Sequence, residues 1–217
     1  MRLKNNRFLR TIYYNWLHYE AKHSYNHGKG NVIVNKGVKV KSRIQIRGSH
    51  NYVIIEGGAA FLNTTLRITG NNCMVVLKDH SYVTEAEIFV ENNNCKVEIG
   101  SKTFVGRHTH IACSEDNSEL IIGRDGMISS HCQVRTGDSH SVTDLEGNRI
   151  NPAASIHIGD HCWLGEGSKV MKGVTLGKDT VVSTGAIVTK SFEPNVLLGG
   201  IPAKVLKKNV SWNEKIL

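Results

Sequence analysis

His140 has the surroundings that proton transfer needs, in the polar stretch RTGDSHSVTDLEGNRINPAASIH at 135–157. An imidazole with an ordinary pKa of ~6.5 is mostly neutral near pH 7 and can accept a proton as a general base. Asp138 and Asp144 flank it, and either carboxylate, or a backbone carbonyl, could hold the ring in its working orientation. The alternative is an exposed loop histidine without a role, one of eleven in the chain. Trp163 is the second residue that chemistry could use. It precedes Leu164, which belongs to an inward series, so the indole should point outward to meet a ligand or a neighbouring subunit.

That inward series identifies the scaffold. Ile158, Leu164, Val170, Leu176, Val182 and Val188 fall on every sixth position, and Gly159, Gly165 and Gly177 follow three of them. Neither the helical period of 3.6 nor the strand period of 2 places one side chain inward every six residues. A coil of three short faces does, with one aliphatic per face in the bore and a small residue at each corner. An ordinary β-sandwich does not give six consecutive hits. Shorter runs extend the period upstream: Ile55 and Phe61; Leu77, Val83 and Phe89; Ile99, Val105 and Ile111; Ile122, Ile128 and Val134. Their leaders, Ile55, Leu77, Ile99 and Ile122, recur at a nearly constant step that is longer than three hexads. Asn51, Asn72, Asn94 and Asn117 sit in the polar turns before them. Such coils carry extra corner residues, where Asn suits a positive φ. Arg67 stands where an aliphatic is expected.

The reading is a parallel β-helix with a loop extruded at about 135–157. Residues 1–28 form a basic amphipathic helix and cap, 29–207 the solenoid, and 208–217 a tail. Phe8, Leu9, Ile12, Tyr13, Trp16 and Leu17 give the helix one apolar face, with Arg2, Lys4, Arg7 and Arg10 nearby. It could seal the open end of the solenoid or lie as a peripheral contact on an anionic membrane. No signal peptide or membrane span is read. Five irregularly spaced cysteines suggest reduced thiols in a cytoplasmic protein, free or at the inner face of the membrane. The net charge of +8 is read as spread along the chain, which with no nucleic-acid motif argues against nucleic acid and for a phosphorylated small molecule or anionic glycan.

The strings DSHSVTD, IGDHCWLGEGSKVMKGVTLG and GAIVTKSFEPNVLLGGIPAKVLK resemble the left-handed β-helix hexapeptide-repeat acyltransferases, in particular the capsule and O-antigen sugar O-acetyltransferases. The resemblance covers about half the chain, from Ile99 through Trp212, and its left-handed crossover departs from the usual rule for parallel strands. It implies that His140 is the base that deprotonates an acceptor hydroxyl, which attacks acetyl-CoA directly. It places Trp163 in the tunnel near the acetyl group, and Gly165, Thr184 and Gly185 along pantetheine. Thr189, Lys190, Lys204 and Lys207 fall near the adenosine and phosphates, where cations are needed. Arg107 falls near a position contacting the acetyl or acceptor group, where relatives carry Asn. A homotrimer with sites between subunits is implied, without a metal.

Three other functions are weighed: N-acetylation of a nucleotide-linked amino sugar, a non-catalytic scaffold, and a zinc lyase. The last would need three converging histidines, a demand that His108, His110, His157 and His161 do not meet by spacing.

Overall fold

The computed structural model describes residues 7–216. After one helix, α1 (Arg7–Lys22), the chain winds as a three-faced parallel β-helix. Each strand pairs with the one a full coil later, giving sheets of eight, seven and nine strands among the described residues. Face I begins with Tyr25–His27 and ends at Ile187–Val188. Face II runs from Val32–Asn35 to Thr175–Leu176. Face III runs from Val38–Val40 to Val196–Gly200 and is closed by the antiparallel strand Ala203–Lys208. The solenoid therefore starts at Tyr25, inside the stretch expected to be cap, and the extruded loop spans residues 136–155. Among the described residues no helix is long and apolar enough to cross a membrane.

The six-residue series from Ile158 to Val188 lines the bore, each member 2 % exposed or less. Full burial of one such side chain stabilises the fold by ~1.5–3 kcal/mol. Upstream the inward positions follow a different rhythm. Ile44, Leu66, Ile88, Ile111 and Val134 are in register on face I. Phe61 to Leu66 and Val83 to Ile88 are steps of five residues, not six, because the face III/I corners at Asn63 and Glu85 are one residue shorter. A one-residue shift moves a side chain to the other surface of a strand. Arg67 and Phe89 therefore point outward, contrary to the reading of Phe89 as inward, and the Arg67 guanidinium lies 5.1 Å from the Phe89 ring centre.

The surplus residues of these longer coils lie on face I and at the I/II corner. Strands there have two inward positions, such as Ile88 with Val90 and Ile111 with Cys113. At the corner, Asn71 Nδ2 donates to Asn93 Oδ1 (2.9 Å) and Asn93 Nδ2 to Asp116 Oδ1 (3.2 Å), so neighbouring coils bond through a polar ladder. Asn72, Asn94 and Asn117 take the expected positive φ, of 56°, 56° and 65°. Asn51 does not belong with them. It is fully buried one step further on, in register with Cys73, whose backbone N–H donates to Asn51 Oδ1. Cys73 and Cys95 are themselves one coil apart in register, with the same spacing as Leu77 and Ile99, so the cysteines are not all irregularly placed. All five cysteines are buried and free.

Helix α1 lies against the outside of face I rather than over the bore. Gln45 Nε2 donates to the carbonyls of Glu20 and His23, and Arg47 pairs with buried Glu20 and sits 5.6 Å from the Trp16 ring centre. Ile33, at an inward position of the first coil, is 43 % exposed, so the described residues leave that end open. Of the expected apolar face, the side chains of Phe8, Leu9 and Leu17 lie outside the described residues, as do those of Arg2, Lys4, Arg7 and Arg10.

Charge is not spread along the chain. Before Glu56 the sequence holds eleven Lys and Arg but one acid, Glu20, whereas from Glu56 onward it holds sixteen basic and eighteen acidic side chains. The sequence reading missed this because lysines spaced along a coil look dispersed until the coil closes.

Candidate functional site

The loop that carries His140 is a braced structure. Thr143 and Arg149 form an antiparallel bridge, with a turn between them in which Asp144 accepts from the Asn148 amide (2.7 Å). Asn151 ties the turn to its base: its Nδ2 donates to Asp138 Oδ2 (2.8 Å) and to the His140 carbonyl (2.9 Å), while its Oδ1 accepts from Val142 N–H (2.7 Å). Lys172, one coil later, donates to Asp138 Oδ2 (2.5 Å) and to the Asn151 carbonyl (3.0 Å). Arg149 makes a two-pronged bond with Glu115, and Arg135 donates to the Gly137 carbonyl and Ser139 Oγ. These contacts fix the His140 backbone and leave its side chain exposed, with no ring hydrogen bond among the described residues. Neither Asp138 nor Asp144 bonds the imidazole: each is occupied within the loop base or the turn.

Charge neutralisation accompanies this bracing. The Lys172 ammonium, followed by the Asn151 amide, holds the Asp138 carboxyl below the usual carboxylate range. The Arg149 guanidinium does the same for Glu115.

Trp163 lies on face III, 37 % exposed, as the outward position before Leu164 requires. Its Nε1 donates to Ser129 Oγ (3.2 Å), and its ring is 5.9 Å from that of Trp212. Trp212 stacks on His161 at 4.6 Å and donates through Nε1 to the His161 carbonyl (2.8 Å). His161 Nδ1 is 2.8 Å from Asp179 Oδ1, which also accepts from Ser211. The residues expected to form a tail thus buttress the Trp163 region. Trp163 belongs to a single register line along face III: Val38, Ala60, Tyr82, Phe104, Met127, Trp163, Val181 and Leu197. Every member is apolar, and Val38 and Tyr82 are as openly exposed as Trp163.

The cofactor residues expected from the sequence divide between two edges. Gly165, Thr184 and Gly185 stack at the III/I corner beside Trp163. A side chain on Gly165 would come within 2.7 Å of the Thr184 nitrogen, and Gly185 has φ +70° with open space before it. Arg107 occupies the same edge nearer the N-terminus, 3.3 Å from Glu85. Lys204 and Lys207 are exposed on the closing strand of face III, three strands from Trp163, or ~14 Å at the usual strand spacing.

Thr189 and Lys190 instead follow face I, at the I/II corner from which the His140 loop also emerges. Lys190 Nζ lies 5.6 Å from the Phe192 ring centre, in a cleft of ≈ 720 Å³ shared with Lys208 and Val205. One chain therefore brings His140, Asp138, Lys172, Thr189 and Lys190 to one edge, and Trp163, Gly165, Thr184 and Gly185 to another. Lys172, Asn151 and Trp212 were not foreseen. Lys172 alone left a trace in the sequence, as the residue after the inward Val170 and Met171 at the corner beneath the loop.

The histidines considered for zinc stand apart. His108 faces His131 at the III/I corner, His110 lies on face I beside Glu87, and His157 lies on face II near Glu119.

Residues 155–190 match the family model described as bacterial transferase hexapeptide (six repeats). The chain is 30% identical over 177 residues to a polysialic acid O-acetyltransferase of Neisseria meningitidis, across 81% of each chain. It is 33% identical over 118 residues to the polysialic acid O-acetyltransferase of Escherichia coli O1:K1 / APEC, and this match spans 38% of that relative's length. Two solved structures superpose along most of the solenoid. The polySia specific acetyltransferase NeuO gives a TM-score of 0.80 at 29% identity, covering 90% of both chains. The polysialic acid O-acetyltransferase OatWY gives 0.81 at 26% identity, covering 89% of this chain and 93% of the other.

Proposed function

We propose, from the premise that this chain belongs to the hexapeptide-repeat acyltransferases, that it transfers acetyl from acetyl-CoA to a hydroxyl of a surface polysaccharide or its precursor. Similarity to two polysialic acid O-acetyltransferases makes an acidic glycan the first acceptor to try. His140 takes the proton of the acceptor hydroxyl as its oxygen bonds to the thioester carbonyl. The carbon–sulfur bond then breaks, and the same imidazole returns the proton to the departing thiolate. Backbone N–H groups at the III/I corner stabilise the oxyanion. Gly165 and Gly185 leave that edge thin enough for a pantetheine arm, and Lys204 and Lys207 lie where phosphates would follow.

One observation carries the assembly: the apolar register line through Trp163, on a different edge from His140. A line of outward apolar residues this long calls for a covering surface. A second copy of the chain packed there, in a closed homotrimer, would bring its His140 loop against Trp163 of the first. Asp138 acts as a positioning residue, holding the loop through Asn151 and Lys172. Five free buried thiols fit a reducing compartment and a cytoplasmic location.

The test is thiol release from acetyl-CoA across polysialic acid, neutral oligosaccharides and nucleotide-linked amino sugars. Release that needs a hydroxyl-bearing glycan supports the reading. Release with amino sugars alone reassigns the chain to N-acetylation, and no release together with no CoA binding leaves only a scaffold.

A further inference from the structure

The N-terminal end of the solenoid is unlike the rest of the molecule in charge and in covering. A lysine occupies each of the three corners of the first coil: Lys29 between faces I and II, Lys36 between II and III, and Lys41 between III and I. All three are exposed. Their counterparts one coil later are Ser49, Glu56 and Asn63, so the ring of charge belongs to the end coil alone. Lys39 adds a fourth exposed ammonium at an inward position, beside the open mouth of the bore. Glu20, the one acid before Glu56, is buried against Arg47 and His27 and offsets Arg47 rather than the corner lysines.

Apolar groups also lie open at this end of the chain. On α1, Ile12 and Tyr19, seven residues apart and so on one side of the helix, are 51% and 61% exposed, and Ile33 is uncovered at the bore mouth. An anionic polymer in water would satisfy the lysines and can stack on a tyrosine, but it leaves the aliphatic Ile12 and Ile33 in water. A bilayer surface satisfies both, because anionic headgroups attract Lys and Arg while tyrosine and aliphatic groups settle into the interfacial layer.

We propose that this end of the solenoid, with α1, docks on an anionic lipid surface: the corner lysines meet phosphate-bearing headgroups, and Ile12 and Tyr19, which share one side of the helix, enter the interface with Ile33. Docking here leaves the loop and Trp163 free. Trp163 is five coils from Val38 along face III, or ~24 Å at the usual strand spacing. The proposal goes beyond the acetyl-transfer reading and does not depend on it.

The test is co-sedimentation of the full chain with phosphatidylcholine vesicles, with and without phosphatidylglycerol, at low and high salt. Expected are binding to the phosphatidylglycerol vesicles alone and weakening as salt screens the charges. The triple variant Lys29→Gln, Lys36→Gln, Lys41→Gln should bind about a hundredfold more weakly, at about fivefold per lysine. Ile12→Ser with Tyr19→Ser, both at exposed positions, should weaken binding without changing its salt dependence. Both variants should keep the wild-type circular dichroism spectrum and the wild-type rate on a short soluble acceptor. Failure to sediment with phosphatidylglycerol vesicles at low salt would overturn the proposal, as would wild-type binding by the lysine variant. Retention on immobilised polysialic acid without vesicle binding would overturn it too, and assign the end to glycan capture.

Discussion

The upstream coils and the last coils solve one packing problem in two ways. From the second coil to the loop, each coil takes 22 or 23 residues, with five-residue strands on face I from Arg43–Arg47 to His110–Ser114 and a wide corner bonded through Asn71, Asn93 and Asp116. From Ile158 to Val188 a coil is three plain hexads, its strands from Trp163 onward shrink to two residues, and its corners stack backbone against glycine, as Gly165 does on Thr184. Wide corners are bulky and polar and hold coils together through side chains. Tight corners leave a thin backbone edge with little projecting from it, which suits a long flexible co-substrate lying along the solenoid. The proposed chemistry falls where the two regimes meet: His140 in the loop between them, and Trp163 on the first tight coil.

Removing the groups at that junction should have the largest effect. His140→Ala is expected to lower kcat by ~10²–10⁴ with little change in KM for acetyl-CoA, read by steady-state thiol release. Equal rates would move the base elsewhere.

A core substitution tests whether the tight coils are the rigid ones. Leu164 is fully buried, and Leu164→Ala should cost ~2–5 kcal/mol in denaturant unfolding. Ile33→Ala, at the open mouth, should cost less than ~1 kcal/mol. Similar costs would mean that the first coil is covered in solution.

The loop base should respond to acid. Asp138 and Glu115 have carboxyls held below the ordinary range by Lys172 and Arg149, so their contribution is present above pH ~4 and is lost as pH falls through the depressed values. Amide protection in residues 136–155 should therefore fall below that pH before protection in the bore strands does. Lys172→Ala should loosen the loop at neutral pH and lower kcat by about tenfold or more, through misplacement of His140. Unchanged protection in that variant would show that Asn151 braces the loop alone.

Lys190→Ala should have the smallest effect, raising KM for acetyl-CoA by about two- to fivefold, as expected for an exposed charge contact. An unchanged KM would remove Lys190 from contact with the cofactor and leave that part to Lys204 and Lys207 on face III.

The tight coils were legible because every sixth residue, Ile158 through Val188, obeys one rule with nothing inserted. The wide coils blurred that rule: a single missing residue at Asn63 or Glu85 turned Arg67 and Phe89 outward, and period counting has no means of detecting a deletion at a corner. Asn51 was grouped with Asn72 because both precede an aliphatic run, yet one is an inward acceptor and the other a left-handed turn residue. His140 and Trp163 were visible from their types and positions. Lys172, Asn151 and Trp212 were not, since their partners lie 34, 13 and 51 residues away in the chain. The charged end was hidden for the same reason, its lysines being neighbours only around a coil.

The central claim is that His140 of one chain works with Trp163 of another. Mixing the His140→Ala and Trp163→Ala chains, by unfolding and refolding them together in equal amounts, tests it directly. Random assembly of a closed trimer gives one intact site in each mixed trimer, so the mixture should regain about a quarter of wild-type activity. Activity no higher than the average of the two variants would contradict the account and place both residues in a site within one chain.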